Sequence, residues 1–480
     1  MLFNMIFRQF FIEGLGCASY LIGCGSTGMC AIVDPQRDVE GYLHTAQAHG
    51  LHITHVIETH LHADHVSGNR ELAARTGATI YMPARAGATF DHVPLDDGDE
   101  LNVGNVTLRA LFTPGHTPEH LCLAVIDRTR GPEPWFLLTG DFLFVGDVGR
   151  PDLLGRDETR QLAGQMYDSL FGRLLRLDDG LELYPGHGAG SLCGRNMSAK
   201  LSSTLGFERR FNEALQPRPR EAFIQWITSD PPPQPANVAY IKQLNRAGPP
   251  ILGELRRPRP LTAQVVREMM MQDPVVVLDT RDPVEFAAGH LPGALNVPLS
   301  SDQFATRAGW LIPPGKAIVL VVGHGNGERE RDGREAERAA RALARVGHDQ
   351  VAGYLFNGVA AWRALGLPVL SIALWTPERL ISEAFGPGQS SASRGDLTVL
   401  DVRESSEWRA GHIPGAVHIP LGQLAQRLTE LNPARPIAAI CTSGVRSSTA
   451  ASLLVAQGFK QVTNVMAGMD GWQAAGYPVE

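Results

Sequence analysis

The chain has 480 residues, too many for one hydrophobic core, so two to four domains are expected. Its net charge of −7 is spread without blocks of like sign, which speaks against a nucleic-acid partner, and no apolar run approaches the roughly 20 residues that span a bilayer. The six cysteines, at positions 17, 24, 30, 122, 193 and 441, form no paired framework, so a reducing, cytoplasmic setting is expected, in which thiols are read for reactivity and not as disulfide staples.

Residues 1–11 are apolar but short, carry Arg8 and lack a small-residue cleavage site, so they read as the start of a first strand and not as a signal peptide. Residues 6–34 alternate like a β-hairpin, turning at Gly14-Leu15-Gly16 and at a second glycine-rich stretch. A helix over 39–49, a strand at Ile53-Thr54-His55-Val56-Ile57, a helix over 71–76 and a strand over 79–82 follow. Strands mixed with helical crossovers predict an αβ/βα sandwich, with loops gathered at one edge of two sheets.

Directly after the 53–57 strand stands Thr59-His60-Leu61-His62-Ala63-Asp64-His65. Neutral imidazole and ionised carboxylate are the usual ligands of borderline divalent metals, and ligands leaving rigid strands can converge on one point. Thr113-Pro114-Gly115-His116-Thr117, Thr139-Gly140-Asp141 and Tyr184-Pro185-Gly186-His187 each present a further candidate ligand after an apolar run. Four such motifs in this order, over roughly residues 5–250, resemble the metallo-β-lactamase fold superfamily. Of the remaining thiols here, Cys17, Cys24, Cys30 and Cys122 fall in strands or hairpins and read as small core residues. Cys193, six positions after His187 in a glycine-flanked loop, is expected to overhang the metal pocket as a candidate catalytic thiol.

Past position 215 the chain turns rich in proline, which removes backbone donors and favours extended structure, so an arm and linker are expected up to a first domain boundary near 255. An internal repeat follows. Asp279-Thr280-Arg281 recurs as Asp401-Val402-Arg403 and Gly289-His290-Leu291-Pro292-Gly293-Ala294 as Gly411-His412-Ile413-Pro414-Gly415-Ala416, each 122 positions on. Gly358, Trp362, Gly366 and Pro368 recur as Gly468, Trp472, Gly476 and Pro478, 110 positions on. Buried apolar strands alternating with helices predict a parallel sheet in each copy. The repeated elements resemble the rhodanese family, giving domains at 1–255, 256–372 and 373–480.

The copies differ in chemistry. In the second, the strand over 437–440 runs into Cys441-Thr442-Ser443-Gly444-Val445-Arg446 and then a helix, so backbone N–H groups and a helix N-terminus surround the sulfur, and Arg446 adds fixed charge. This cradle for Cys441 has one residue fewer than a tyrosine-phosphatase loop and suits sulfur better than phosphate. The first copy has Gly323-His324-Gly325-Asn326-Gly327-Glu328 at that place and no cysteine, so it is expected to be silent and to pack or space its neighbours.

Gly149-Arg150-Pro151-Asp152 after Gly140-Asp141, with Tyr184 and His187, resembles the ethylmalonic-encephalopathy-type persulfide dioxygenases. That resemblance implies one Fe(II) held by His60, His116 and Asp141, with open positions for a persulfide and O2, and with His62, Asp64, His65 and His187 as outer-shell residues. It places Arg150 and Tyr184 near the substrate or the iron. The implied activity oxidises a low-molecular-weight persulfide, of glutathione or coenzyme A type, with O2 to sulfite and thiol, while Cys441 passes sulfane sulfur between sulfite and thiosulfate. The same residues could instead hold two metals, as in a glyoxalase II-like zinc thioester hydrolase with accessory rhodanese domains. Nothing in the sequence opposes a homo-oligomer.

Overall fold

The computed structural model describes residues 5–195, 197–229, 234, 236–253, 255, 257–272, 275–323, 329–385 and 397–480. The chain divides into two compact units, Met1–Leu255 with Ala344–Gly347, and Arg256–Leu343 with His348–Glu480. Among the described residues no helix is long and apolar enough to cross a membrane.

The first unit is a sandwich of two six-stranded mixed sheets. The first sheet is β1 (Met5–Ile12), β2 (Cys17–Cys24), β3 (Met29–Val33), β4 (His52–Ile57), β5 (Thr79–Pro83) and β6 (Val93–Leu95), in that order. The pairs β1/β2 and β2/β3 are antiparallel, and each later pair is parallel because a helical or looped crossover separates its strands. The second sheet runs β12-β11-β10-β9-β8-β7, built from β7 (Glu100–Val103), β8 (Val106–Phe112), β9 (Leu121–Asp127), β10 (Phe136–Gly140), β11 (Glu182–Pro185) and β12 (Ser203–Thr204). Tyr20, Ile22 and Ile57 from one sheet meet Leu108, Val125 and Leu138 from the other in the central core. Helices cover the outer faces: Tyr42, Ala46 and Leu72 close the first, Met166 and Leu170 the second. This is the αβ/βα order expected.

The proline-rich stretch is not the free arm its composition predicts. Helices Arg220–Thr228 and Val238–Ala247 fold back, and Phe223, Ile224 and Ile227 join the outer core of the second sheet. Pro219 sits immediately before the first of these helices, where a missing N–H costs nothing, so it starts the helix it would break from inside.

The second unit holds two all-parallel sheets of identical order. One is β13-β17-β16-β14-β15, from β13 (Pro260–Leu261), β14 (Val276–Asp279), β15 (Leu295–Asn296), β16 (Ile318–Val321) and β17 (Val351–Leu355). The other is β18-β22-β21-β19-β20, from β18 (Ala373–Trp375), β19 (Thr398–Asp401), β20 (Val417–His418), β21 (Ile437–Ile440) and β22 (Val462–Val465). The repeated residues are structural ties. Arg281 pairs with Asp279 at 2.5 Å and reaches Gly289 O at 2.9 Å; Arg403 does the same with Asp401 at 2.7 Å and Gly411 O at 2.9 Å. Trp362 and Trp472 each donate Nε1–H at 2.9 Å, to Pro368 O and Pro478 O. A buried D-x-R pair thus pins the strand end to the following turn, and a tryptophan closes the last helix, in both copies. Residues 324–328, with His324, lie outside the described residues.

Candidate functional site

Every ligand candidate in the first unit leaves the end of a strand. His60 follows β4, His116 lies between β8 and β9, Asp141 follows β10 and His187 follows β11. Gly140 allows the approach: its φ is +47°, and a Cβ there would come within 2.6 Å of His120 Nε2 and 2.7 Å of Thr59 Oγ1.

The proton positions follow from the partners. Thr59 Oγ1 donates to Asp34 Oδ2 at 2.8 Å, so at 3.0 Å it accepts from His60 Nδ1–H and leaves the His60 Nε2 lone pair free. His116 Nδ1–H donates to Arg150 O at 2.9 Å and His187 Nδ1–H to Gly16 O at 3.0 Å, freeing Nε2 in each. These three Nε2 atoms stand 3.7, 3.6 and 3.0 Å from Asp141 Oδ2, and neither Asp141 oxygen has a hydrogen-bond partner. A buried carboxylate without donors, facing imidazole lone pairs, fits a divalent cation. Donor atoms of His60, His116 and Asp141 all lie within 4.8 Å of one another.

His62 turns to a different cluster, its Nε2 3.0 Å from Glu58 and 3.2 Å from Asp34, while its Nδ1 has no partner. Asp64 and His65 pair at 3.2 Å, and Asp64 groups with His187 and Cys193 as well as with His65 and Cys17. Cys17 is therefore not the inert core residue its strand position suggests. Its Sγ donates to Asp64 Oδ2 at 3.0 Å, and burial, then the Asp64 charge, push the thiol up. Burial also pushes the Cys193 thiol up. His120, unnoticed in the sequence, accepts the Asp141 N–H at 3.1 Å through Nε2, and burial pulls it down to about 3, so it stays neutral.

Arg150 acts here through its backbone: its carbonyl orients His116 and its N–H donates to Cys193 O at 3.2 Å, while its guanidinium grips Asp152 at 2.8 and 2.6 Å. Tyr184 does not join the cluster. Strand alternation turns its ring into the core between the sheets, 4.7 Å from Phe7, and its hydroxyl donates to Glu182 at 2.7 Å. Asn245, from the proline-rich stretch, holds the metal loop: its amide donates to His62 O at 2.9 Å and His65 O at 2.8 Å, and its carbonyl accepts Ser67 N–H at 2.9 Å. Asn245→Ala leaves these buried groups unpaired and is expected to cost about 2 kcal/mol and to weaken metal retention. Thermal melting and metal content of the variant check this; a wild-type melt with full metal content would refute the clamp.

In the second unit Cys441 is 1% exposed at the end of β21. Gly444 N–H donates to its Sγ at 3.1 Å, and Ser447 Oγ lies 3.4 Å away. Gly468 closes the loop from behind: its φ is +46°, and a Cβ there would lie 2.1 Å from Cys441 O. Thr442, Ser443, Gly444 and Val445 form the cradle, and helix Val445–Ala456 begins inside it. Arg446 is not an unpaired charge at its mouth. Glu407 holds it at 2.6 and 2.7 Å, and although burial opposes this, those bonds hold the Glu407 carboxyl down at about 2.

Residues 12–187 match the metallo-beta-lactamase superfamily model, and residues 262–365 and 389–475 match the rhodanese-like domain model. The crystal structure of a metallo-beta-lactamase from Staphylococcus aureus subsp. aureus COL is similar, with 34% identity and a TM-score of 0.65 over 73% of this chain and 98% of that one. That of ETHE1 from Myxococcus xanthus is 32% identical, with a TM-score of 0.45, over 51% of this chain and 99% of its own. A hydroxyacylglutathione hydrolase from Polaromonas sp. is 37% identical over 172 residues, which are 35% of this chain and 61% of the hydrolase.

Proposed function

Because the chain belongs to the metallo-beta-lactamase superfamily and carries two rhodanese-like domains behind that fold, we propose that it is an Fe(II) persulfide dioxygenase and sulfurtransferase. The observation that carries this reading is the donor set His60, His116 and Asp141, two imidazoles and one carboxylate. His60, His116 and Asp141 would hold Fe(II), which when bound would supply activation of O2 and of a persulfide sulfur. The overall change is RSSH + O2 + H2O → RSH + sulfite + 2 H⁺. Thr59 and the Arg150 carbonyl fix the rings of His60 and His116, so the protein orders its donors before substrate arrives. The thiols of Cys17 and Cys193 lie beside that centre, next to Asp64 and His187. Glutathione is the carrier thiol favoured, since a relative's name says that it acts on an acylated glutathione.

A second persulfide charges Cys441, whose thiolate attacks the outer sulfur of RSSH as the thiolate RS⁻ leaves; the sulfite lone pair then bonds that outer sulfur, the Cys441 S–S bond breaks, and its electron pair returns to Cys441 as thiolate, giving thiosulfate. Gly444 N–H is placed to stabilise sulfur anion at that position.

A zinc thioester hydrolase is the second reading, favoured by His62 Nδ1 and His65 Nε2, both buried without partners, which a second metal could use. Metal analysis with an oxygen electrode separates the two. One iron per chain and uptake of one O2 per glutathione persulfide are expected; two zinc ions with no uptake would overturn the proposal.

A further inference from the structure

The rhodanese-like copy without a cysteine is built against the copy that has one. Asn296, at the end of β15 in the first copy, accepts from Ser448 Oγ at 2.6 Å, and its N–H donates to Ser452 Oγ at 2.9 Å. Both serines lie on the helix that begins in the Cys441 cradle, one turn apart. From the first copy's helix Phe304–Leu311, the Trp310 ring packs 3.4 Å from the Cβ position of Gly422, in the second copy's Leu421–Leu424 helix. Arg307 lies one turn before Trp310, on the same side.

Arg307 differs from Arg446 in what holds it. Arg446 is neutralised by two contacts with Glu407. Arg307 bonds only neutral oxygens, Ser301 Oγ at 2.6 Å and Gln303 Oε1 at 3.3 Å, its Nε has no partner, and it makes no ion pair among the described residues. The groups whose charges act on it from the second copy are Arg446, Cys441 and Glu404. Burial, then Arg446, pull the guanidinium down to about 10, so it is still protonated at neutral pH. The Glu404 and Asp302 carboxylates act on this cation through space without touching it, so beside an arginine already paired it keeps hydrogen-bonding capacity for an anion at the sulfur cradle.

We propose that Arg307 is a positioning residue of the Cys441 site, supplied by the copy that lacks a cysteine, and that it holds the sulfonate end of thiosulfate or sulfite. In sulfur loading, the Cys441 thiolate attacks the outer sulfur of thiosulfate, the S–S bond breaks, and its electron pair leaves with sulfite, a dianion that Arg307 receives. The inference rests on Cys441 accepting sulfane sulfur and is independent of what the metal centre does.

The test is thiosulfate-dependent sulfur transfer by the full chain, with melting temperature recorded for each variant. Arg307→Gln is expected to raise the thiosulfate KM about tenfold, the effect of losing one charge-assisted hydrogen bond, with kcat within about twofold. Arg307→Lys should recover part of the loss. A second readout needs no turnover: alkylation of Cys441, followed by peptide mass spectrometry, with anionic iodoacetate and neutral iodoacetamide. Arg307→Gln should lower the iodoacetate rate relative to the iodoacetamide rate. An unchanged KM and rate ratio, or equal loss with both reagents, would overturn the proposal. Absence of sulfur transfer in the wild-type chain would instead count against the sulfurtransferase reading, because the alkylation ratio still reports on Arg307.

Discussion

Asp141→Asn is expected to empty the metal centre and to lower O2-dependent persulfide turnover by at least about a hundredfold, since even the outer partners of metal ligands cost 10- to 100-fold when lost. The substitution keeps the size of the side chain and removes the one anionic donor among the three mutually close groups. Three Nε2 atoms would then face an amide in a buried pocket. The charge of a divalent cation would have no direct counter-charge there. His62→Ala separates the two readings of the centre. Metal content should hold if His62 only orients the loop through Glu58 and Asp34, and should fall by one equivalent if His62 Nδ1 is a ligand of a two-metal site. Both variants are judged by metal analysis and oxygen uptake. An Asp141→Asn protein with wild-type metal and rate would remove the basis of the proposed chemistry.

What could be read in the chain before its fold depended on whether the signal was local. His60, His116, Asp141 and His187 are legible because each stands where an apolar run stops, and the fold turns that pattern into ligands leaving the ends of strands. The D-x-R and tryptophan elements are legible as a repeat, and the structure gives their reason: each makes the same hydrogen bonds in both copies. Cys17 carried no local signal. It sits inside an alternating strand, 47 positions before Asp64, and meets it only because β2 is bridged to His187 at the ligand edge. Asn245 was hidden by composition, because prolines that lie outside helices look the same in a sequence as prolines that prevent them. Glu407 was invisible for a related reason: it comes from a short helix, Ser405–Arg409, far before the cradle whose arginine it neutralises. Tyr184 is a different case. The family resemblance of its motif put it near the substrate or the iron, whereas its ring packs against Phe7 in the core between the sheets.

Cys441→Ser is expected to abolish thiosulfate-dependent sulfur transfer, by on the order of a thousandfold or more, because a hydroxyl in the same cradle is neither as acidic nor as nucleophilic toward sulfur. The substitution is nearly isosteric and the side chain is buried, so the Gly444 N–H and Ser447 Oγ keep a partner and the fold should persist. Oxygen uptake with a supplied persulfide should be unchanged, since the metal ligands lie in the first unit and Cys441, the only cysteine of the second, is not among them. Glu407→Gln sharpens the result. It frees Arg446 from its half-buried ion pair while leaving Cys441 in place, so sulfur transfer should weaken through loss of cradle order and not through loss of the nucleophile. Peptide mass spectrometry after thiosulfate should then find persulfide on Cys441 in the wild type and in Glu407→Gln, and on none of the five remaining cysteines in Cys441→Ser. Undiminished sulfur transfer by Cys441→Ser would place the sulfur-carrying thiol elsewhere, and Cys193 and Cys17, beside Asp64 and His187, would be the groups to test next.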